Sequence, residues 1–450
     1  MSFIYHFIYR IILTADYLKK GFFFFLTIIM FGFVNNLYAQ QDTIFFHSKP
    51  SDTITSDSAV IQFLSDADIP VTTDNKIHLL KSGKEKFDDL FSAIKKAKHH
   101  IHLEYFNFRN DSIANELFTL LAHKAQEGVE IRALFDAFGN WSNSRPLKKK
   151  HLKNLRKKGI EIYHFDPLRF PYINHVFHRD HRKIVVIDGT IAYVGGMNIA
   201  DYYIKGLPKI GEWRDMHVRI EGKATHYLQE IFLSIWNKTT KQNICGTAYF
   251  PIYSDTTFHK GKSIAIVDRT PKKTPKQIRQ TYAKSCCSSL SKSIDVAKSN
   301  IQIVNPYFLP TRSIRKALKS ALKRGINVEI MISAKADIAF TPEGSIRVAH
   351  NLMKKGAHIY LYNGGFHHSK IMMIDSTFCT VGTANLDSRS LRYDYEVNAF
   401  IFDKEITEEL SEIFEKDKQN CTMLTPEEWR KRSVWKRFVG LLAQMCTPFL

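Results

Sequence analysis

His181-Arg-Lys183-Ile-Val-Val-Ile-Asp188 and His368-Ser-Lys370-Ile-Met-Met-Ile-Asp375 are two occurrences of one pattern, HxKxxxxD. In a β-strand, side chains alternate faces, so His and Lys, two apart, share a face. Asp, five beyond Lys, falls on the other face. Asp188 and Asp375 are therefore expected to turn off the strand end or to orient the motif from the far side, and both are counted with the catalytic set. Each motif is trailed by the same turn, Val194-Gly-Gly-Met-Asn198 and Val381-Gly-Thr-Ala-Asn385. A single HxKxxxxD is a weak signal. Two in register, each with its Asn, are a strong one.

The flanking sequence repeats as well. Strand-like Ile101-His-Leu-Glu-Tyr-Phe106 is followed by a helical run stopped at Gly128, the strand Val129–Phe135, and a second helical run stopped at Gly159. Ile301-Gln-Ile-Val304, Gly325, Val328–Ile332 and Gly356 repeat the order at the same glycine spacing. Strands alternating with glycine-terminated helices predict α/β layers. Two copies predict two similar lobes, a pair of sheets related by a pseudo-two-fold, with the active site at their interface.

The chain has 450 residues and a formal net charge of +20, with 44% apolar and 13% aromatic residues. That excludes a disordered or collagenous chain and predicts a polyanionic partner. Cysteines 245, 286, 287, 379, 421 and 446 form no CxxC and read as packing or incidental thiols. Lys19-Lys20 precede the apolar run Gly21–Val34, then Ala39 and a polar stretch, so residues 1–39 read as a signal peptide or a single membrane anchor. Lysines ahead of the run favour a catalytic body on the outer, periplasmic face. Residues 40–75, rich in Ser, Thr and Asp, read as a linker. The two lobes are expected at 76–250 and 251–430. Residues 431–450 form a basic amphipathic stretch with Trp435, Phe438, Val439, Leu442 and Met445 at helical spacing, suited to a membrane surface or to docking on the body.

Two imidazoles, two ammonium groups and two amides converging across a pseudo-dyad suit a phosphodiester. One neutral His attacks phosphorus, and the other, protonated, protonates the leaving alkoxide. Lys183, Lys370, Asn198 and Asn385 surround the non-bridging oxygens. The lysines supply the positive charge, so neither metal nor cofactor is expected and activity should persist in chelator. Carboxylates behind the histidines fix their tautomer. Asp215, in Trp213-Arg-Asp-Met-His-Val-Arg-Ile220, is assigned to His181. Glu396, in Tyr393-Asp-Tyr-Glu-Val-Asn-Ala-Phe400, is assigned to His368. His99, His100 and His102 read as surface or packing residues. His175, His178 and His367 are placed near the pocket mouth, and Glu104 is given a structural or supporting role.

From about Pro70 to Asp403 these residues resemble the phospholipase D superfamily, and within it the bacterial cardiolipin synthases. Particular matches are Arg179-Asp-His-Arg-Lys-Ile-Val-Val-Ile-Asp-Gly189, Gly195-Gly-Met-Asn-Ile199, Glu212–Gly222, Asn305-Pro-Tyr-Phe308 and Gly382-Thr-Ala-Asn-Leu-Asp-Ser-Arg-Ser390. The resemblance implies a phosphatidyltransferase that converts two phosphatidylglycerols into cardiolipin and glycerol through a phosphohistidine, with His181 as nucleophile and His368 as acid. Its partners would be anionic phospholipid and membrane, with no nucleic acid. A hydrolase or a nuclease would use the same site. The family usually begins with two membrane spans, and this chain offers one clear apolar run. Asp180 and Asp394 stand where the family has Asn, and a carboxylate beside His181 is expected to raise its pKa.

Overall fold

A computed structural model describes residues 54–167, 178–253, 261–271, 285–338 and 341–445. Residues 1–39, with the expected signal or anchor, lie outside these, as do His175 and Cys446. The described residues belong to one compact unit, Ser51–Pro448.

In the first half, β1 (Val71–Leu80) and α2 (Gly83–Lys96) lead into β2 (His100–Tyr105), α3 (Ser112–Gln126), β3 (Glu130–Asp136), α4 (Lys149–Lys157) and β4 (Ile160–Phe165). A meander follows: β5 (Ile184–Ile187), β6 (Ile191–Gly195), a short β7 (Glu212–Arg214), β8 (His217–Gly222) and then α5 (Ala224–Thr240). The second half repeats the series. β9 (Lys262–Arg269) and α6 (Cys286–Val296) precede β10 (Asn300–Val304), α7 (Arg312–Lys323), β11 (Asn327–Ser333), α8 (Thr341–Met353) and β12 (His358–Tyr362). Then come β13 (Gly365–His367), β14 (Ile371–Ile374), β15 (Phe378–Gly382), β16 (Glu396–Phe402), α9 (Lys404–Lys418), β17 (Cys421–Met423) and α10 (Val434–Met445). Gly128, Gly159, Gly325 and Gly356, which close α3, α4, α7 and α8, have φ of 90°, 85°, 82° and 100°. Only a residue without Cβ takes that helix-ending conformation at no cost, which is why the repeat keeps its glycines.

The expected pair of sheets is one continuous sheet. Its order is β17-β12-β11-β10-β14-β15-β16-β9-β1-β8-β6-β5-β2-β3-β4, and β1 with β9 joins two equivalent halves antiparallel (Val71 opposite Ala265). The sheet folds over this seam. Ile184, Val186, Val194 and Val218 of one half share a buried cluster with Met373, Val381, Val397 and Ile401 of the other. Alternate residues of the same strands, Val185 and Ile187 or Met372 and Ile374, face outer helices instead. Period-2 burial on both faces explains the almost unbroken apolar run after each HxK motif.

One expected boundary, that of the linker, changes. The linker ends early: α1 (Ser56–Asp66) buries Val60 and Leu64 in the second half's core, and β1 begins at Val71. At the other end, residues 434–445 are a helix docked on α8, through Gly440 against Glu343 and Arg347.

Candidate active site

His181 and Lys183 immediately precede β5, and His368 and Lys370 precede β14, so each pair enters the folded sheet at the start of an equivalent interior strand. The backbone around them is paired across the halves. The His181 N–H donates to Tyr395 O (3.0 Å) and Tyr395 N–H donates to Arg179 O (2.9 Å). On the other side β13 runs parallel to β7, with His367 opposite Arg214, and His368 N–H donates to Arg214 O (2.7 Å). Each HxK motif is thus laid beside the strand that leads to the other half's carboxylate.

The carboxylates consequently pair crosswise, which corrects the expected assignment. His181 Nδ1 lies 3.0 and 3.2 Å from the two oxygens of Glu396, and His368 Nδ1 lies 2.7 Å from Asp215 Oδ2. With Nδ1 committed in both rings, Nε2 is the nitrogen each has for chemistry. Glu396 also accepts from the Thr383 hydroxyl, and Asp215 from the Met216 N–H at 2.7 Å. Gly196 stands in the first half where Thr383 stands in the second. A Cβ there would lie 2.2 Å from Asp215 Oδ1, so the carboxylate fills the space a side chain would need.

Lys183 and Lys370 are buried, and each ammonium donates to the carbonyl of its own motif's histidine. Burial lowers their pKa values to about 7 and about 8, against the opposing pull of Glu396 and Asp215, and Lys370 adds repulsion at Lys183. Burial, reinforced by both lysines, holds His181 and His368 well below the usual imidazole range. It raises Glu396 to about 7 and Asp215 to about 6. Without ligand the charges are disfavoured on both sides of each pair; a phosphate anion would favour the imidazolium and ammonium charges and oppose those of the carboxylates. Asn198 and Asn385 are also buried, each with an Oδ1 that makes no hydrogen bond. Turned over, the Asn198 amide would direct Nδ2 there and let Oδ1 accept from the Tyr203 hydroxyl, now 3.5 Å from Nδ2.

Asp188 and Asp375 are not with this group. Both have left-handed φ (53° and 52°) at the far ends of β5 and β14. Asp188 accepts from the backbone N–H groups of Lys98, His99 and His100 at 2.7–2.9 Å. Asp375 accepts from those of Lys298, Ser299 and Asn300 over the same range. The third member of each motif therefore ties the start of a neighbouring strand.

Asp180 is also corrected. Its buried carboxylate faces Glu104 and Arg182, and it is Asp394 whose charge favours protonated His181, a contribution that burial and the lysines outweigh. Glu104 is fully buried, 3.5 Å from Arg182. His367 turns inward to Asp417 (3.1 Å), which also holds Arg214 (2.7 Å), and His178 Nδ1 bonds Tyr393 O (3.0 Å). His100 and His102 are packing residues, His102 stacked on Phe232 at 4.5 Å, and His99 is exposed. Cys286, Cys287 and Cys379 are buried free thiols. Thr383, Asp417 and Arg214 were not singled out from the sequence. Thr383 carried a signal, since it is the one polar difference between the two Val-Gly-x-x-Asn turns. Among the described residues no cluster of His, Cys, Asp and Glu is arranged to hold a metal ion.

Residues 90–236 and 290–418 match the family described as cardiolipin synthase, PLD-like domain, once in each half. The chain belongs to the cardiolipin synthase family of phospholipase D-like proteins. It is 39% identical over 382 residues to a cardiolipin synthase of Listeria welshimeri, covering 84% of this chain and 76% of that one. It is 38% identical over 383 residues to a cardiolipin synthase 2 of Staphylococcus epidermidis, covering 84% and 75%. The crystal structure of phosphatidylserine synthase from Haemophilus influenzae shares the fold, with TM-score 0.63 and 15% identity over 87% of this chain and all of that one. The family's domain is matched twice in this chain, and the chain is an enzyme of that type. Among the described residues no helix is long and apolar enough to cross a membrane.

Proposed function

We propose that the chain transfers a phosphatidyl group between two phosphatidylglycerols, giving cardiolipin and glycerol. The observation that carries this is the pair of imidazoles, each held at Nδ1 by a carboxylate of the opposite half, with both buried lysines close enough to act on each ring. His181 Nε2 attacks phosphorus as the P–O bond to the glycerol headgroup breaks, and His368 Nε2–H protonates the departing alkoxide. His368 then takes the proton of a second phosphatidylglycerol's hydroxyl, whose oxygen attacks phosphorus and breaks the P–N bond. Lys183, Lys370, Asn198 and Asn385 neutralise the non-bridging oxygens, each donor contributing roughly 3 kcal/mol in the transition state. His181 takes the nucleophile's role by family analogy. The acceptor is a lipid alcohol, in line with the names of the relatives. The enzyme works at a membrane whose anionic lipids are its substrate, and the lysines ahead of the apolar run at 21–34 put its body on the outer face.

The test is expression in bacteria that lack their own cardiolipin synthases, with lipids read by mass spectrometry. Cardiolipin should appear with the wild type and vanish with His181→Ala and with His368→Ala. Phosphatidic acid accumulating in place of cardiolipin would refute the transferase in favour of a hydrolase.

A further inference from the structure

A helix that docks on a soluble body normally turns its apolar face inward. Helix α10 does the reverse. Gly440 and Ala443 face the body: a Cβ on Gly440 would lie 2.7 Å from Glu343 O, and one on Gly344 of α8 would lie 2.8 Å from Ala443 Cβ. The helix is seated on α8 by this stripe of small residues. Its large apolar side chains, Val434, Trp435, Phe438, Leu441, Leu442 and Met445, point away and are 39–74% exposed. Their spacing traces one continuous face.

Charge says what covers it. From Ser433 to Leu450 the sequence has no acidic residue, and Lys436 and Arg437 lie in the first turn of α10. A cavity of about 350 Å³ at that end is lined by Lys431, Arg432, Lys436 and Glu428 beside Leu361 and Leu424; Lys431 pairs with Glu428 at 2.5 Å and Arg432 with Glu343, and Lys436 adds a further cation. Twelve residues make a helix of about 18 Å, too short to span the ~30 Å hydrocarbon layer, so it would lie in the interface.

We infer that the outward face of α10 inserts into an anionic bilayer and seats the catalytic body on the surface that carries its substrate. The docking helix is coupled to the site by direct packing. Leu309 packs against Gly344, and the Ser345 hydroxyl accepts from Phe308 N–H at 3.0 Å. The adjoining Tyr307 ring lies 6.4 Å from that of His368. The inference depends on the proposed function only for the identity of the lipid substrate.

The experiment uses the full chain in vesicles of phosphatidylethanolamine and phosphatidylglycerol, with plain or brominated acyl chains. Brominated lipid should quench the Trp435 contribution, taken as wild type minus Trp435→Phe, by at least half. The inactive His181→Ala protein should show the same quenching, which separates this inference from the catalytic one. Phe438→Asp/Leu442→Asp, exposed positions that leave the docked stripe intact, should abolish that quenching. It should raise KM for phosphatidylglycerol in vesicles at least fivefold, with kcat on short-chain substrate in detergent unchanged. Equal Trp435 emission in plain and brominated vesicles would overturn the inference. So would an unchanged vesicle KM in the double variant, or loss of self-association in that variant without lipid quenching, which would assign the face to a second copy.

Discussion

Replacing Glu396 by Gln tests the crossed pairing and its energetic consequence together. The substitution is close to isosteric, and the site can absorb it. The amide oxygen can accept from His181 Nδ1–H while the NH2 donates to Thr383 Oγ1, whose hydroxyl turns to Val397 O, already 3.3 Å away. What is lost is charge. A carboxylate 3.0 Å from an imidazole that gains positive character as it attacks phosphorus contributes about 5 kcal/mol at an effective dielectric of about 20. We expect kcat to fall by about 10³–10⁴ with the fold intact. Stability should move the other way, and with pH. Burial raises Glu396 to about 7, above its unfolded value near 4.5, so the native state binds more protons than the unfolded state between those values and stability falls as pH rises through that window. The cost is about 1 kcal/mol at pH 5 and about 3 kcal/mol at pH 8. Relative to wild type, Glu396→Gln should therefore be more stable at pH 8 than at pH 5 by about 2–2.5 kcal/mol. Chemical denaturation of the detergent-solubilised chain at the two pH values measures this. A double-mutant cycle should show coupling above about 1 kcal/mol between His181→Ala and Glu396→Gln, and additivity between His181→Ala and Asp215→Asn. The opposite pattern, or a kcat loss below tenfold, would refute the crossed assignment.

Asp188→Ala should lower stability by about 2–3 kcal/mol, since it strips an acceptor from three backbone N–H groups. Asp188→Asn, whose side chain tolerates the left-handed backbone, should keep kcat within about threefold, and a large kcat loss in a folded Asn variant would return Asp188 to the chemistry. Gly196→Ala should cut activity at least ~10²-fold, because its methyl displaces Asp215 from His368; near-normal kcat would show that this contact does not position the ring. Cardiolipin formation should proceed at full rate in excess chelator, and a rate lost there and restored by a divalent cation would refute charge neutralisation by lysine alone.

The duplication, the glycine stops and the HxK motifs were legible because each is a local pattern with a physical period. Crossed pairing was not. In sequence Asp215 follows His181 and Glu396 follows His368, so proximity favours pairing within each half. Symmetry permits either choice, and the tertiary contact of residues 178–181 with 393–395 decides it. The strand period did predict that Asp188 and Asp375 would leave the face of His and Lys. Placing them among catalytic residues followed the motif against that period. The first helix was hidden because its Ser- and Asp-rich N-terminus reads as linker, although Val60, Phe63, Leu64 and Ala67 are spaced as a buried helical face. The outward apolar face of α10 was legible as amphipathicity, but the side that docks depends on Gly344 of another helix.

Crossed pairing also makes the two halves depend on each other. Here the first half holds His181 but draws its carboxylate from β16, and the second holds His368 but draws its carboxylate from the residue after β7. Separating the halves would leave each imidazole without its carboxylate, while Glu396 would keep the Thr383 hydroxyl and Asp215 the Met216 N–H. The β1–β9 seam and the shared inner core fix the relative position of the halves, and the two cross-half backbone pairings refine it at the site. Once the halves are joined, identity between them is no longer required, and the Gly196/Asp215 and Thr383/Glu396 pairs have diverged. The two histidines therefore sit against different carboxylates in different settings, Glu396 beside the Thr383 hydroxyl and Asp215 beside Gly196.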